Sequence, residues 1–163
     1  MSRLLLRCLW YLAASVVVPA GALWPDVVDE FDAAWVRILT PSVFLGELAL
    51  LSLVLMVATL LPGSLLLGWR QRRRGPRGYD RWLAAAISAA SLLLALHANL
   101  TDYARFYGNT WGLWEPTFGF FLPQWPWIAA CVAVAVALEL RGGAAKPAAA
   151  DAGIDALHRA PER

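Results

Sequence analysis

Charge is scarce in this chain. Asp, Glu, Lys and Arg make up 16% of its 163 residues, against roughly a quarter in soluble domains. Lysine is nearly missing: of 14 basic residues only Lys146 is not arginine. There are two cysteines, Cys8 near the start of one apolar run and Cys131 inside another. Their expected depths differ, so no disulfide between them is expected, and both read as small apolar packing residues. An arginine precedes Cys8, which makes it a poor lipoprotein cleavage site. With no metal-ligand spacing, no metal or other cofactor is expected. HExxH, GxSxG, CxxC, Walker A and dinucleotide-binding glycine patterns are also missing. These absences remove familiar soluble enzyme classes. They leave room for an intramembrane enzyme, which needs only two or three polar residues.

The chain is rich in apolar residues, 60% of the total, gathered into blocks rather than scattered. A bilayer core of about 30 Å takes roughly 20 helical residues to cross. Four blocks reach about that length, over 8–24, 43–69, 82–100 and 118–140. Lipid offers no hydrogen bonds to a bare backbone, so a spanning segment must be a helix or part of a closed barrel. The alternation of a barrel is absent. The expected fold is therefore an all-α integral membrane four-helix bundle, with residues 1–141 as the membrane domain and 142–163 as a disordered cytoplasmic tail.

The first block also satisfies the pattern of a cleaved signal peptide. Arg3 and Arg7 precede an apolar run, and Ala20-Gly21-Ala22 resembles a cleavage site. Cleaved or retained, residue 25 emerges on the same side. Residues 25–42 follow, with Val27, Val28, Phe31, Trp35, Ile38 and Leu39 on one helical face and Asp26, Asp29, Glu30 and Arg37 on the other. This spacing predicts an external amphipathic helix lying in the interface. In the second block Pro62-Gly63 is a kink site. Small residues run along helical faces at Ala84, Ser88, Ser91 and Ala95, and again at Ala129, Ala133 and Ala137, spacings that permit close helix approach in lipid.

Threading follows from counting. Arg3, Arg7, the six arginines of the 70–81 loop, Arg141, Lys146, Arg159 and Arg163 make 12 basic residues on one side, against Arg37 and Arg105 on the other. That bias puts the loop and both termini in the cytoplasm. Abundant alanine and arginine fit a GC-rich bacterial source, hence a bacterial inner membrane. Topology and anionic-lipid contact account for the arginine loop, and its juxtamembrane position argues against nucleic acid.

Three polar residues form the candidate site. Glu47 lies about 6 Å inside the external end of the second span. An ionised carboxylate there should face the bundle interior or water. His97 lies at a similar depth in the third span, and Asp102 at its end. Glu47 and His97 could form an acid–base couple, although a snorkelling carboxylate and an interfacial histidine explain them equally simply. Beyond them, residues 103–127 are dense in aromatics, among them Tyr103, Tyr107, Trp111, Trp114 and Trp125. These read as an external aromatic belt, or as a surface for a lipophilic ligand or another membrane subunit. The function expected from this pattern is a non-catalytic accessory or assembly subunit of a membrane complex. The alternatives are a lipid- or isoprenoid-binding protein or enzyme with its polar site near the external leaflet, and a small transporter built by homo-oligomerisation.

Overall fold

The computed structural model describes residues 3–28, 40–102 and 114–141. Four helical rods account for nearly all of them: α1, Arg3–Val28; α2, Pro41–Arg74; α3, Asp80–Asp102; and α4, Thr117–Arg141. Each contains a stretch long and apolar enough to cross a membrane. All four expected spans are present, each longer than its purely apolar block because polar ends extend the helix beyond it. Most of the expected amphipathic helix falls on 29–39, outside the described residues, and α1 itself continues through 25–28. Tyr103, Tyr107, Trp111 and the tail 142–163 also lie outside the described residues.

Local chemistry sets the helix ends. Thr40 has extended backbone angles, and its hydroxyl accepts the Val43 N–H at 3.3 Å. Pro41 follows at the first helical position, where no amide donor is needed. At the other end of α2, Gly75 carries a φ of 74°, in the region that glycine enters without steric cost. The chain reverses over 75–79 and enters α3 at Asp80, so α2 and α3 are antiparallel neighbours.

The α2 rod contains a π turn at Met56–Leu60, just before Pro62. The Leu61 N–H donates to the Met56 carbonyl, one residue further back than in an α-helix. Pro62 has no N–H for Ala58 and its ring crowds that turn, so widening the helix by one residue relieves the clash. Thr59 donates to the Leu55 carbonyl at 2.7 Å within the same turn. The expected kink site is thus a π turn on the N-terminal side of the proline. The Pro123 region behaves alike. A π turn, Thr117–Phe121, and a 3-10 turn, Leu122–Gln124, lead into regular α-helix at Trp125. In contrast, α1 runs through Pro19 and Pro25 as continuous α-helix.

The helices pack unequally. α3 is the hub, with 44% of its most apolar window buried, against 11% for α4. α1 and α3 form the central pair, and α2 and α4 flank it on opposite sides. The core draws Tyr11, Ala14, Leu23 and Val27 from α1, Phe44, Leu48 and Leu60 from α2, Leu92, Ala95, Leu96 and Leu100 from α3, and Ile128 and Ala135 from α4. The small-residue face of α3 is where expected: Ser88, Ser91 and Ala95 are buried and Ala84 is half-buried. A methyl group added at Gly63 would come within 2.7 Å of Ile87 Cγ2, so α2 and α3 touch nearly backbone to side chain there. On α4 the buried face is Ile128, Ala135 and Glu139, while Ala133 is exposed. The expected 129/133/137 ladder therefore lies at the edge of the buried face, with Ala129 and Ala137 half-buried and Ala133 exposed.

Candidate functional site

Among the described residues, the most deeply buried carboxylates lie at the arginine-rich end of the bundle, away from Glu47. Glu139, in the last turn of α4, is 5% exposed. Its Oε1 accepts the Ser88 hydroxyl of α3 at 2.7 Å. Its Oε2 faces the Arg7 guanidinium of α1 as an ion pair, a charge contact without an aligned hydrogen bond. Three helices are thus joined at one carboxylate. A buried carboxylate is tolerable only when paired and hydrogen-bonded, and Arg7 and Ser88 supply both. Trp10 adds a neutral link, donating from its indole to the Cys131 carbonyl at 3.2 Å.

The second carboxylate, Asp80, organises the loop. It is 3% exposed. Its Oδ2 accepts the Arg77 N–H at 2.9 Å, and its Oδ1 lies 3.0 Å from the Arg70 guanidinium as an ion pair. A carboxylate at a helix start is also favoured by the positive end of the helix dipole. Arg70 stacks over the Tyr79 ring, 4.7 Å from its centre, and also donates to the Tyr79 hydroxyl. Arg77 donates to the same hydroxyl at 3.0 Å, and that contact pushes its pKa above the ordinary arginine value. Arg73 lies over the Trp69 ring at 4.3 Å. Trp69 and Trp82 are exposed on either side of this loop, as interface anchors are.

Between these two clusters lies an open cleft of about 800 Å³. Arg7, Gln71, Arg77, Arg81 and Glu139 line its polar side. Leu4, Leu61, Leu65 and Leu67 line its apolar side. Leu4 and Leu65 are exposed, so the apolar side continues onto the outer surface of α1 and α2.

At the opposite end the contacts are neutral. Asn99 Nδ2 donates to the Ser15 carbonyl at 2.7 Å and to the Ser52 hydroxyl at 2.8 Å, joining α3 to α1 and α2. Its Oδ1 is buried without a partner among the described residues. His97 Nε2 lies 3.1 Å from the Thr117 hydroxyl, and its ring meets Phe121 edge-on with centres 5.0 Å apart. Glu47 is half-buried. No hydrogen bond or ion pair joins it to His97, whose partners are both on α4. Asp102 ends α3, and its side chain lies outside the described residues. Trp114 and Trp125 are exposed. Among the described residues no three His, Cys, Asp or Glu side chains gather as metal ligands would.

Sequence reasoning missed Glu139, Asp80 and Asn99. Glu139 sits two residues from Arg141 and reads as part of a charged helix end. The available signal was its pairing with Arg7: opposite charges in the first and last spans, both near the arginine-rich end. Asn99 stands near the end of the third apolar block, where a polar residue is unremarkable, although it falls on the face of Ser88, Ser91 and Ala95. No family model, curated protein or solved structure matches this chain.

Proposed function

We propose that this chain is a non-catalytic accessory or assembly subunit of a membrane complex. The observation carrying this reading is that two buried polar side chains, Glu139 and Asn99, are engaged with groups on neighbouring helices. Glu139 joins α4 to α1 and α3, and Asn99 joins α3 to α1 and α2. Such contacts fix a scaffold and present no nucleophile to a base. α4 is the least buried helix, and its exposed Ala130, Ala133 and Val134 form a small-residue face of the kind that accepts another helix. On this reading Trp114, Phe118 and Trp125, also exposed, flank the docking face.

The positive-inside rule supports placing the arginine loop and both termini in the cytoplasm, with the acidic segment after α1 and the aromatic segment before α4 outside. α1 contributes Tyr11, Ala14, Leu23 and Val27 to the core, which favours a permanent helix over a cleaved leader. A bacterial cytoplasmic membrane remains the proposed location.

Purification in mild detergent tests the assignment. A stoichiometric membrane partner should accompany the wild-type chain and be lost with Ala133→Trp. A monodisperse lone protein would overturn it. For orientation, a cysteine placed at Gly78 in a Cys8→Ser/Cys131→Ser background should react with an impermeant reagent only after the membrane is opened.

One specific observation favours the second reading, a lipid- or isoprenoid-binding protein. The cleft joins an arginine-lined wall to a leucine-lined one, which moves the proposed binding site from the Glu47 end to the arginine-rich end.

A further inference from the structure

We infer that Asn99 is the latch of a proline hinge in α1. Its amide donates to the backbone carbonyl that Pro19 leaves without a helical donor, and so holds straight a helix that otherwise bends there. The hinge belongs to the chain itself and works with or without a partner.

In an α-helix the carbonyl of residue 15 accepts from the amide of residue 19. Residue 19 is proline, which has no N–H and whose ring crowds that same carbonyl. Ser15 and Pro19 are both fully buried, so water does not serve the freed group. Within a bilayer such a carbonyl must find its donor inside the protein. It does: Asn99 Nδ2, from α3, reaches the Ser15 carbonyl at 2.7 Å. A bond from the neighbouring helix thus replaces the one that α1 lacks.

Two other prolines are accommodated within their own helices. α2 widens into a π turn, Met56–Leu60, just before Pro62, and α4 has another, Thr117–Phe121, just before Pro123. α1 instead stays regular α-helix through Pro19. It is also regular at Pro25, but Pro25 and Gly21, whose carbonyl it frees, are exposed near the end of the helix.

The amide is oriented by what it donates to. Its Nδ2 serves both the Ser15 carbonyl and the Ser52 hydroxyl, the latter at 2.8 Å, while Oδ1 is buried without a partner among the described residues. The reverse orientation would set two carbonyl oxygens against each other. Beyond Pro19, residues 20–28 form the arm of the hinge, and Leu23 and Val27 pack it into the core. With the latch open, that packing competes with the bend, so the arm populates two positions.

Paired spin labels on the full chain test this. Placed at Leu4→Cys and Trp24→Cys in a Cys8→Ser/Cys131→Ser background, both at exposed positions, they lie about 30 Å apart along a straight helix. With the native latch one distance should appear. Asn99→Leu should add a shorter one. Pro19→Ala/Asn99→Leu, which restores the missing N–H, should return the single distance. Ser52→Ala removes the other acceptor of the amide and should leave the distance unchanged. A single unchanged distance in Asn99→Leu would overturn the hinge, as would a second distance that Pro19→Ala does not remove. Thermal unfolding in detergent gives an independent reading. Asn99→Leu should lower the melting temperature less in the Pro19→Ala background than in the native one; equal losses would mean that the two residues act separately, and the latch would fall. Where Asn99→Leu alone fails to fold, recovery on adding Pro19→Ala supports the latch and continued failure overturns it.

Discussion

The two ends of the bundle solve the same problem in opposite ways. At the arginine-rich end, helices are joined by full charges, Arg7 with Glu139 and Arg70 with Asp80, around a tight five-residue turn, 75–79. At the other end they are joined by hydrogen bonds without an ion pair, Asn99 with Ser15 and Ser52, and His97 with Thr117. The difference follows from solvent. Arg7 and Arg70 keep about a quarter of their side chains exposed, so a buried carboxylate can be neutralised by a cation that still reaches water. Asn99, Ser15 and Ser52 have no such outlet, and an amide carries out the joining at lower desolvation cost.

Four substitutions would break or sharpen that contrast. Glu139→Ala should have the largest effect, about 3 kcal/mol of stability in detergent, because it leaves Arg7 without its counter-ion and Ser88 without its acceptor. A double-mutant cycle with Arg7→Leu should show strong coupling, with the doubly apolar variant recovering much of the loss. Asp80→Ala comes next, at about 1–2 kcal/mol, read as a lower melting temperature and as protease cutting within 75–79. Asn99→Leu should cost about 1 kcal/mol and separate α3 from Ser15, observable as faster amide exchange near the middle of α1. Glu47→Gln should leave stability within about 0.5 kcal/mol of wild type. If Glu47→Gln instead proved the most destabilising of the four, the charged end would not be the one that holds the bundle. Any activity later assigned to the chain offers a further check. Loss with Glu47→Gln and His97→Ala, with insertion intact, would return attention to the neutral end.

Much of the architecture was legible from sequence because bilayer thickness is a one-dimensional constraint. Block length alone places four helices, and Pro62 places the distortion in α2. The rotation of α4 was not legible. Its alanines recur at a spacing that suits packing, but the buried face is that of Ile128, Ala135 and Glu139, with Ala129 and Ala137 at its edge and Ala133 exposed. The candidate site was least legible of all. Glu47 stands out because it interrupts a long apolar run, whereas Glu139 and Asp80 lie at helix ends beside arginines, where charge is expected. Depth along one span says how unusual a charge is; it does not say which neighbouring helix meets it.

The contact of Gly63 with Ile87 has a consequence for how this chain can change. At 2.7 Å from Ile87 Cγ2 to an added methyl, position 63 admits a side chain only if the Ile87 side chain shifts or is shortened. The two positions are therefore coupled across the α2–α3 seam: Gly63→Ala alone forces the Ile87 side chain to shift, Ile87→Ala alone leaves a void, and the pair together removes the clash while refilling one of the three carbons lost.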